Sequence, residues 1–129
     1  MQNTLNLGAR LLLSQLFIMA GLSKLGGGYQ ATQGYMEAMG VPGMLLPLVI
    51  ALELGGGLIL LLGWQTRLIA LALAGFSLLS GALFHFDPSD NMQMIMFSKN
   101  LAIAGGLLLL SAYGGGRLSL DLRLQNLAK

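Results

Sequence analysis

The sequence predicts an all-α protein, an integral membrane four-helix bundle with a short interfacial helix between the first and second spans. Three observations carry this. The chain of 129 residues is 55% hydrophobic with a further 19 Gly, and only 9% of it is charged. Soluble domains carry roughly 25% charged residues, and so small a chain has too much surface to hide this much apolar area from water. A spanning helix needs about 20 mostly apolar residues, and the chain offers four such stretches in succession, at about 5–25, 44–63, 67–86 and 94–113. Finally, Leu58 to Leu62 and Leu107 to Leu110 are unbroken apolar runs, whereas the strands of a membrane barrel alternate.

Composition also excludes whole classes of function. Few charges and many Leu are the opposite of the signature of disorder. Without cysteine the chain has no disulfide framework, no thiolate metal site and no thiol redox chemistry of its own. A single His cannot supply a two-His haem or metal site from one copy, so no metal is expected. A net charge of +2 is too small and too scattered for nucleic acid. The expected surroundings are the lipid bilayer, and the whole of 1–129 is read as one membrane domain.

The first span carries Arg10 and ends at Gly26-Gly27-Gly28. It lacks the small-residue cleavage site of a secretory signal and is read as retained. The first loop, Gly26 to Gly43, contains Tyr29 to Met39, which fits a short helix at headgroup level. Pro42-Gly43 sets off the second span. Trp64-Gln65-Thr66 is short enough to make the second and third spans antiparallel neighbours. The third span is free of Asp, Glu, Lys and Arg for 19 residues, Leu68 to Phe86. Asp87 to Asn91 is a polar turn in which Pro88 blocks helix continuation. The tail, 114–129, is read as a basic, solvated or headgroup-bound segment. Arg10, Arg67, Arg117, Arg123 and Lys129 fall on one side of the bundle and Lys24 and Lys99 on the other, which by the positive-inside rule puts both termini in the cytoplasm.

A faint internal repeat accompanies this layout. Arg10 and Arg67 each open a helix, and Glu53 to Leu61 resembles Ala102 to Leu110, as two duplicated hairpins would. Small-xxx-small pairs at Ala51/Gly55, Ala70/Ala74, Ser77/Gly81 and Ala102/Gly106, with Gly55, Gly56, Gly57, Gly105 and Gly106, are read as helix-packing positions.

The charges inside the spans are the candidate functional residues. Glu53 stands about ten residues from either end of its span, where an unpaired carboxylate costs several kcal/mol. It is expected to pair with Arg10. Arg10, Ser14, Phe17, Gly21 and Lys24 recur at helical spacing and form one stripe facing the interior. Glu53, Arg10 and Ser14 thus define a buried polar pocket, either an ion pair fixing helix register or a site for a proton, an ion or an amphipathic headgroup. Lys24 and His85, at the outer ends of their helices, are read as snorkelling to the headgroups. Lys99 and Asn100 are read as the start of the fourth helix and a second polar contact, able to hold a quinone carbonyl or an anion. Met36, Met39, Met92, Met94 and Met96 are read as adaptable packing rather than copper ligands.

Arg10, then Phe17 to Leu25, Glu53 to Leu58, Gly63, Thr66-Arg67 and Lys99 to Ala102 together resemble the DoxX family of four-helix bacterial membrane proteins. Tyr35 to Gly43, Leu46 to Ile50 and Phe84-His85 look closer still to a branch of small inner-membrane proteins within it. The resemblance implies the bacterial inner membrane and an accessory or quinone-interacting role in a redox or detoxification system. A quinone or a redox partner protein would then carry the electrons, because the chain has no Cys, and a homo-oligomer is the other assembly expected. No catalytic set emerges that would make the chain an enzyme by itself. The rivals are a non-catalytic scaffold and a small-solute transporter, the latter weakened by small size and by the lack of broken helices with paired ion sites.

Overall fold

The computed structural model describes residues 1–129, and the chain is helical from end to end without a strand. Helix α1 spans Gln2–Ser23, α2 Gly27–Ala38, α3 Gly43–Leu62, α4 Thr66–Phe84, α5 Asn91–Tyr113 and α6 Leu120–Leu127. Four of these, α1, α3, α4 and α5, are long and apolar enough to cross a membrane. They form an up-down-up-down ring in which α1 packs on α3 and α5, and α4 packs on α5 and α3. Only 24 of 129 residues are buried, while Leu12, Leu48, Leu68 and Leu109 are exposed, the inside-out distribution that lipid permits.

The local chemistry accounts for the boundaries. Gly63 ends α3 in the left-handed region at φ 70°, where a side chain would strain the backbone. Gln65 follows at φ 47° and turns the chain straight into α4. Between α4 and α5, Ser89 donates to Asp87 Oδ1 from its Oγ (2.6 Å) and its N–H (3.0 Å), which holds the Asp87 carboxyl below the ordinary carboxylate range. Asp90 then caps α5, accepting from the N–H groups of Met92 at 2.9 Å and Gln93 at 3.3 Å. This cap starts the fourth span at Asn91, so Lys99 and Asn100 lie within a continuous helix and do not open it.

The helix expected in the first loop is present as α2. It folds over the ends of α3 and α4, with Tyr35 stacked on Phe84 at 5.5 Å between ring centroids. The tail forms α6, started by Ser119, whose Oγ accepts from Leu122 N–H at 3.4 Å. It is docked: the Asp121 carboxylate accepts from the N–H groups of Gln65 (2.6 Å) and Thr66 (2.9 Å), and Asp121 N–H donates to Gly63 O at 3.0 Å. Both termini thus sit at one end of the ring, joined also by Asn6 Nδ2 donating to Gly114 O at 2.7 Å.

The core, Phe17, Leu60, Ala70, Leu73, Ala74, Ala104, Leu107 and Leu110, fills the half of the bundle nearer the termini. The α1/α3 seam is closed by glycines. A Cβ on Gly21 would lie 2.8 Å from Leu54 Cβ and 2.9 Å from its backbone N, and one on Gly57 would lie 3.0 Å from Ile18 N. Gly56 meets Leu73 and Ile69, and Gly106 meets Leu13, at ordinary or slightly tight distances. Gly55 and Gly105, expected in the same role, pack against nothing: a Cβ at either would have no neighbour within 4 Å. In α4 both small pairs, Ala70/Ala74 and Ser77/Gly81, are buried, whereas Ala51 and Ala102 are exposed.

Gly21→Ala should therefore cost about 1–3 kcal/mol of stability through overpacking, read as a lowered thermal midpoint in detergent, while Gly105→Ala should be neutral or slightly stabilising. Asp121→Ala removes the cap from two backbone donors at the start of α4 and should cost about 0.5–2 kcal/mol. It should also speed tryptic cleavage after Arg117 and Arg123.

Candidate functional site

The stripe Arg10, Ser14, Phe17 and Gly21 is the face that α1 buries, and Arg10, at 1% exposure, lies among the least accessible residues of the chain. Arg10 does not pair with Glu53. Its Nη1 donates to Leu61 O at 3.0 Å and its Nη2 to Leu118 O, while Nε has no partner. The guanidinium therefore sits at the C-terminal end of α3, where the helix dipole favours a cation, and ties α1 to both α3 and the tail. Gly63 makes room for it, since a Cβ there would strike Nη1. Ser14 is fully buried and donates to Leu11 O of its own helix at 3.2 Å.

Glu53 pairs with Lys24 instead, Nζ to Oε2 2.8 Å, with side-chain exposures of 7% for the acid and 20% for the base. Lys24 also donates to Ala20 O at 3.2 Å, so it turns inward and does not snorkel to the headgroups. The ammonium is the sole partner of Oε2. The pairing follows from where the helices run level. Gly21 meets Leu54, so the end of α1 stands opposite the middle of α3, and the first two turns of α3 run on beyond it beside α2. At this point α3 widens into a π-helical turn, Ala51–Gly55, with Glu53 at its centre. Such turns recur at functional sites.

A cleft of about 540 Å³ opens at the ion pair. Helices α3 and α4 are joined at their other ends by Gly63 to Gln65 and part toward this end, and α2 roofs the gap. Leu48, Leu52, Phe76, Leu79 and Leu83 make the walls apolar, with Met36 and Tyr35 from α2 above and His85 at the rim. Tyr35 donates its O–H to Phe84 O at 3.4 Å, and His85 Nδ1 lies 2.9 Å from Gln93 Oε1. An apolar chamber of this size with a few convergent polar groups is the usual form of a small-ligand site.

The remaining predicted residues do not join this centre. Asn100 is half-buried and donates to Ser77 O across the α4/α5 seam at 3.1 Å. Lys99, its neighbour, is exposed and lines neither this cleft nor the cavity at the other end of the bundle. The predicted polar set thus does not form one pocket: Arg10 belongs to a knot at the termini, Glu53 to the cleft with Lys24 and Asn100 to a helix-seam hydrogen bond, while Ser14 bonds within its own helix and Lys99 is exposed. Sequence reasoning misses Asp121, Tyr35 and the inward role of Lys24. The stripe spacing already places Lys24 on the interior face, which is the available signal.

The chain is 55% identical over 113 residues to inner membrane protein YqjF of Escherichia coli (strain K12), covering 88% of this chain and 86% of that protein. It is 34% identical over 122 residues to inner membrane protein YphA of the same strain, covering 89% and 86%. No solved structure matches the chain. The DoxX family model matches residues 5–86, which take in most of α1, the cleft and all of α4. With four membrane-length helices and this match, the chain is an integral membrane protein that belongs to the DoxX family.

Proposed function

We propose that the protein is a quinone-interacting component of a redox or detoxification system in the bacterial inner membrane. The observation that carries this reading is the ion pair Lys24–Glu53 at the base of an apolar cleft of about 540 Å³. The group fits the residues present. The Lys24 ammonium would donate to a carbonyl oxygen of the oxidised ring, the Glu53 carboxylate would accept from a hydroxyl of the reduced quinol, and Phe76, Leu79 and Leu83 would cover the apolar faces. A bound quinone would supply the electron transfer for which this chain, without cysteine, has no thiol. The protein's share is to bind and orient the ring and to exclude water from it, with a redox partner protein delivering or taking the electrons. The π turn supports the reading, because it sets Glu53 off the regular helical repeat, into the cleft.

Protein purified in mild detergent should carry quinone into an organic extract. Lys24→Met combined with Glu53→Gln removes both charges together, which spares the fold the cost of one unpaired buried ion, about 3–5 kcal/mol. The double variant should insert normally and bind at least about tenfold less quinone, the loss of one or two hydrogen bonds. Absence of quinone from the extract, with no rise in thermal midpoint on adding a short-chain quinone, would sink the proposal. If the double variant lost only stability, the pair would be a register device in a non-catalytic scaffold.

We also infer that both termini are cytoplasmic. Arg10, Arg67, Arg117 and Arg123 gather at the end of the bundle that carries the termini, and this excess supports the orientation. A reporter fused after Lys129 should be active only in its cytoplasmic form, and a periplasmic signal would reverse the assignment.

A further inference from the structure

A second cavity, of about 620 Å³, lies at the end of the bundle that holds the termini. Its wall is made by the turn into α4, the glycine turn after α5 and one side of α6. Two arginines, Arg67 and Arg117, line it, and neither side chain pairs with a carboxylate. Only their backbones are engaged, Arg67 O accepting from Ser111 Oγ at 2.9 Å and Arg117 N–H donating to Asn3 Oδ1 at 3.2 Å. The one carboxylate in the wall, Asp121, is occupied by the N–H groups of Gln65 and Thr66. Thr66 itself is fully buried, and its Oγ1 has no hydrogen-bond partner. Bare backbone lies against that hydroxyl, for a Cβ on Gly115 would stand 2.6 Å from it.

A buried hydroxyl left unpaired costs about 1–3 kcal/mol, and two arginines with no carboxylate partner line the same cavity and give it a positive field. Arg recognises phosphate through paired N–H donors. Trp64 and Tyr113 flank the cavity, both largely exposed, as aromatic side chains are at the level of lipid headgroups. We propose that this cavity is a phosphate-binding site, in which Arg67 and Arg117 supply the charge and Thr66 Oγ1 the buried hydroxyl donor. Its phosphate is that of an anionic phospholipid or one free in solution. The site is separate from the Lys24–Glu53 cleft at the other end of the bundle and does not rest on what that cleft binds.

Native mass spectrometry of the full chain in neutral detergent, titrated with phosphatidylglycerol or phosphatidylcholine, tests the lipid source. Titration with inorganic phosphate, followed by calorimetry, tests the free one. Two arginines predict a preference for phosphatidylglycerol over phosphatidylcholine of about tenfold or more. Arg67→Gln with Arg117→Gln should reduce it to about twofold or less, while Arg123→Gln with Lys129→Gln, an equal loss of two charges outside the cavity, retains it. Thr66→Val should weaken binding with the arginines intact. Binding of inorganic phosphate that the double variant loses would assign the site to a soluble phosphate. Equal affinity for the two lipids with no phosphate binding, or a preference that survives the double substitution at an unchanged thermal midpoint, would overturn the proposal.

Discussion

Backbone contact between α1 and α3 sets the rest of this structure. At Gly21 and Gly57 neither helix has room for a methyl group, so the two are held at one depth relative to each other. The inward-facing cations Arg10, in α1, and Lys24, just past its end, both depend on that depth. Arg10 finds Leu61 O near the end of α3 at one end of the seam, and Lys24 finds Glu53 at the other. In hydrocarbon, helices gain nothing by burying Leu against Leu. Contacts that need close approach are therefore the ones that select a single arrangement, and these two are charge-assisted as well.

The two ends of the bundle solve the problem of charge in lipid differently. At the terminal end, the Arg10 guanidinium is bonded to backbone carbonyls and Asp121 to the backbone N–H groups of Gln65 and Thr66, so main-chain groups meet both charges. The core fills the bundle interior in that half, and the cavity there lies beyond the core, among the turn into α4, the glycine turn after α5 and α6. At the other end, opposite charges meet directly and the helices around them part. A direct ion pair needs space and leaves some of its valence unspent, and the cleft stands where that space is. The Arg10 knot is a fastening, and the Lys24–Glu53 pair borders an open cleft.

Much of the architecture is legible in the residues. Four apolar stretches, the three-residue turn at Trp64 to Thr66 and the spacing of Arg10, Ser14, Phe17 and Gly21 anticipate the spans, their neighbours and the buried face of α1. The family follows from the same residues in their order. The site is less legible, for physical reasons. Pairing Glu53 with Arg10 assumes that each charge seeks another charge, whereas the acceptors nearest Arg10 are main-chain carbonyls, which every residue owns and no pattern marks. Lys24 reads as a headgroup residue because it ends its helix, but α3 extends past that end, so its middle stands where Lys24 is. Asn100 and Lys99 differ in fate because adjacent residues of a helix point about 100° apart. The tail alternates in sequence but begins with Ser119 as a cap, and a cap outweighs a weak alternation.

The π turn in α3 carries one residue more than an α-turn of the same height, which swings everything beyond it by about 100° relative to an unbroken helix. The second span is thus two half-spans with different azimuths, out of phase with any single helical wheel drawn through Met44 to Gly63. One half serves α1 and the glycine seam, and the other faces α2 and the chamber. A lone inserted residue is enough to give one rod two faces, so the bundle obtains a recess without breaking a helix or adding a fifth.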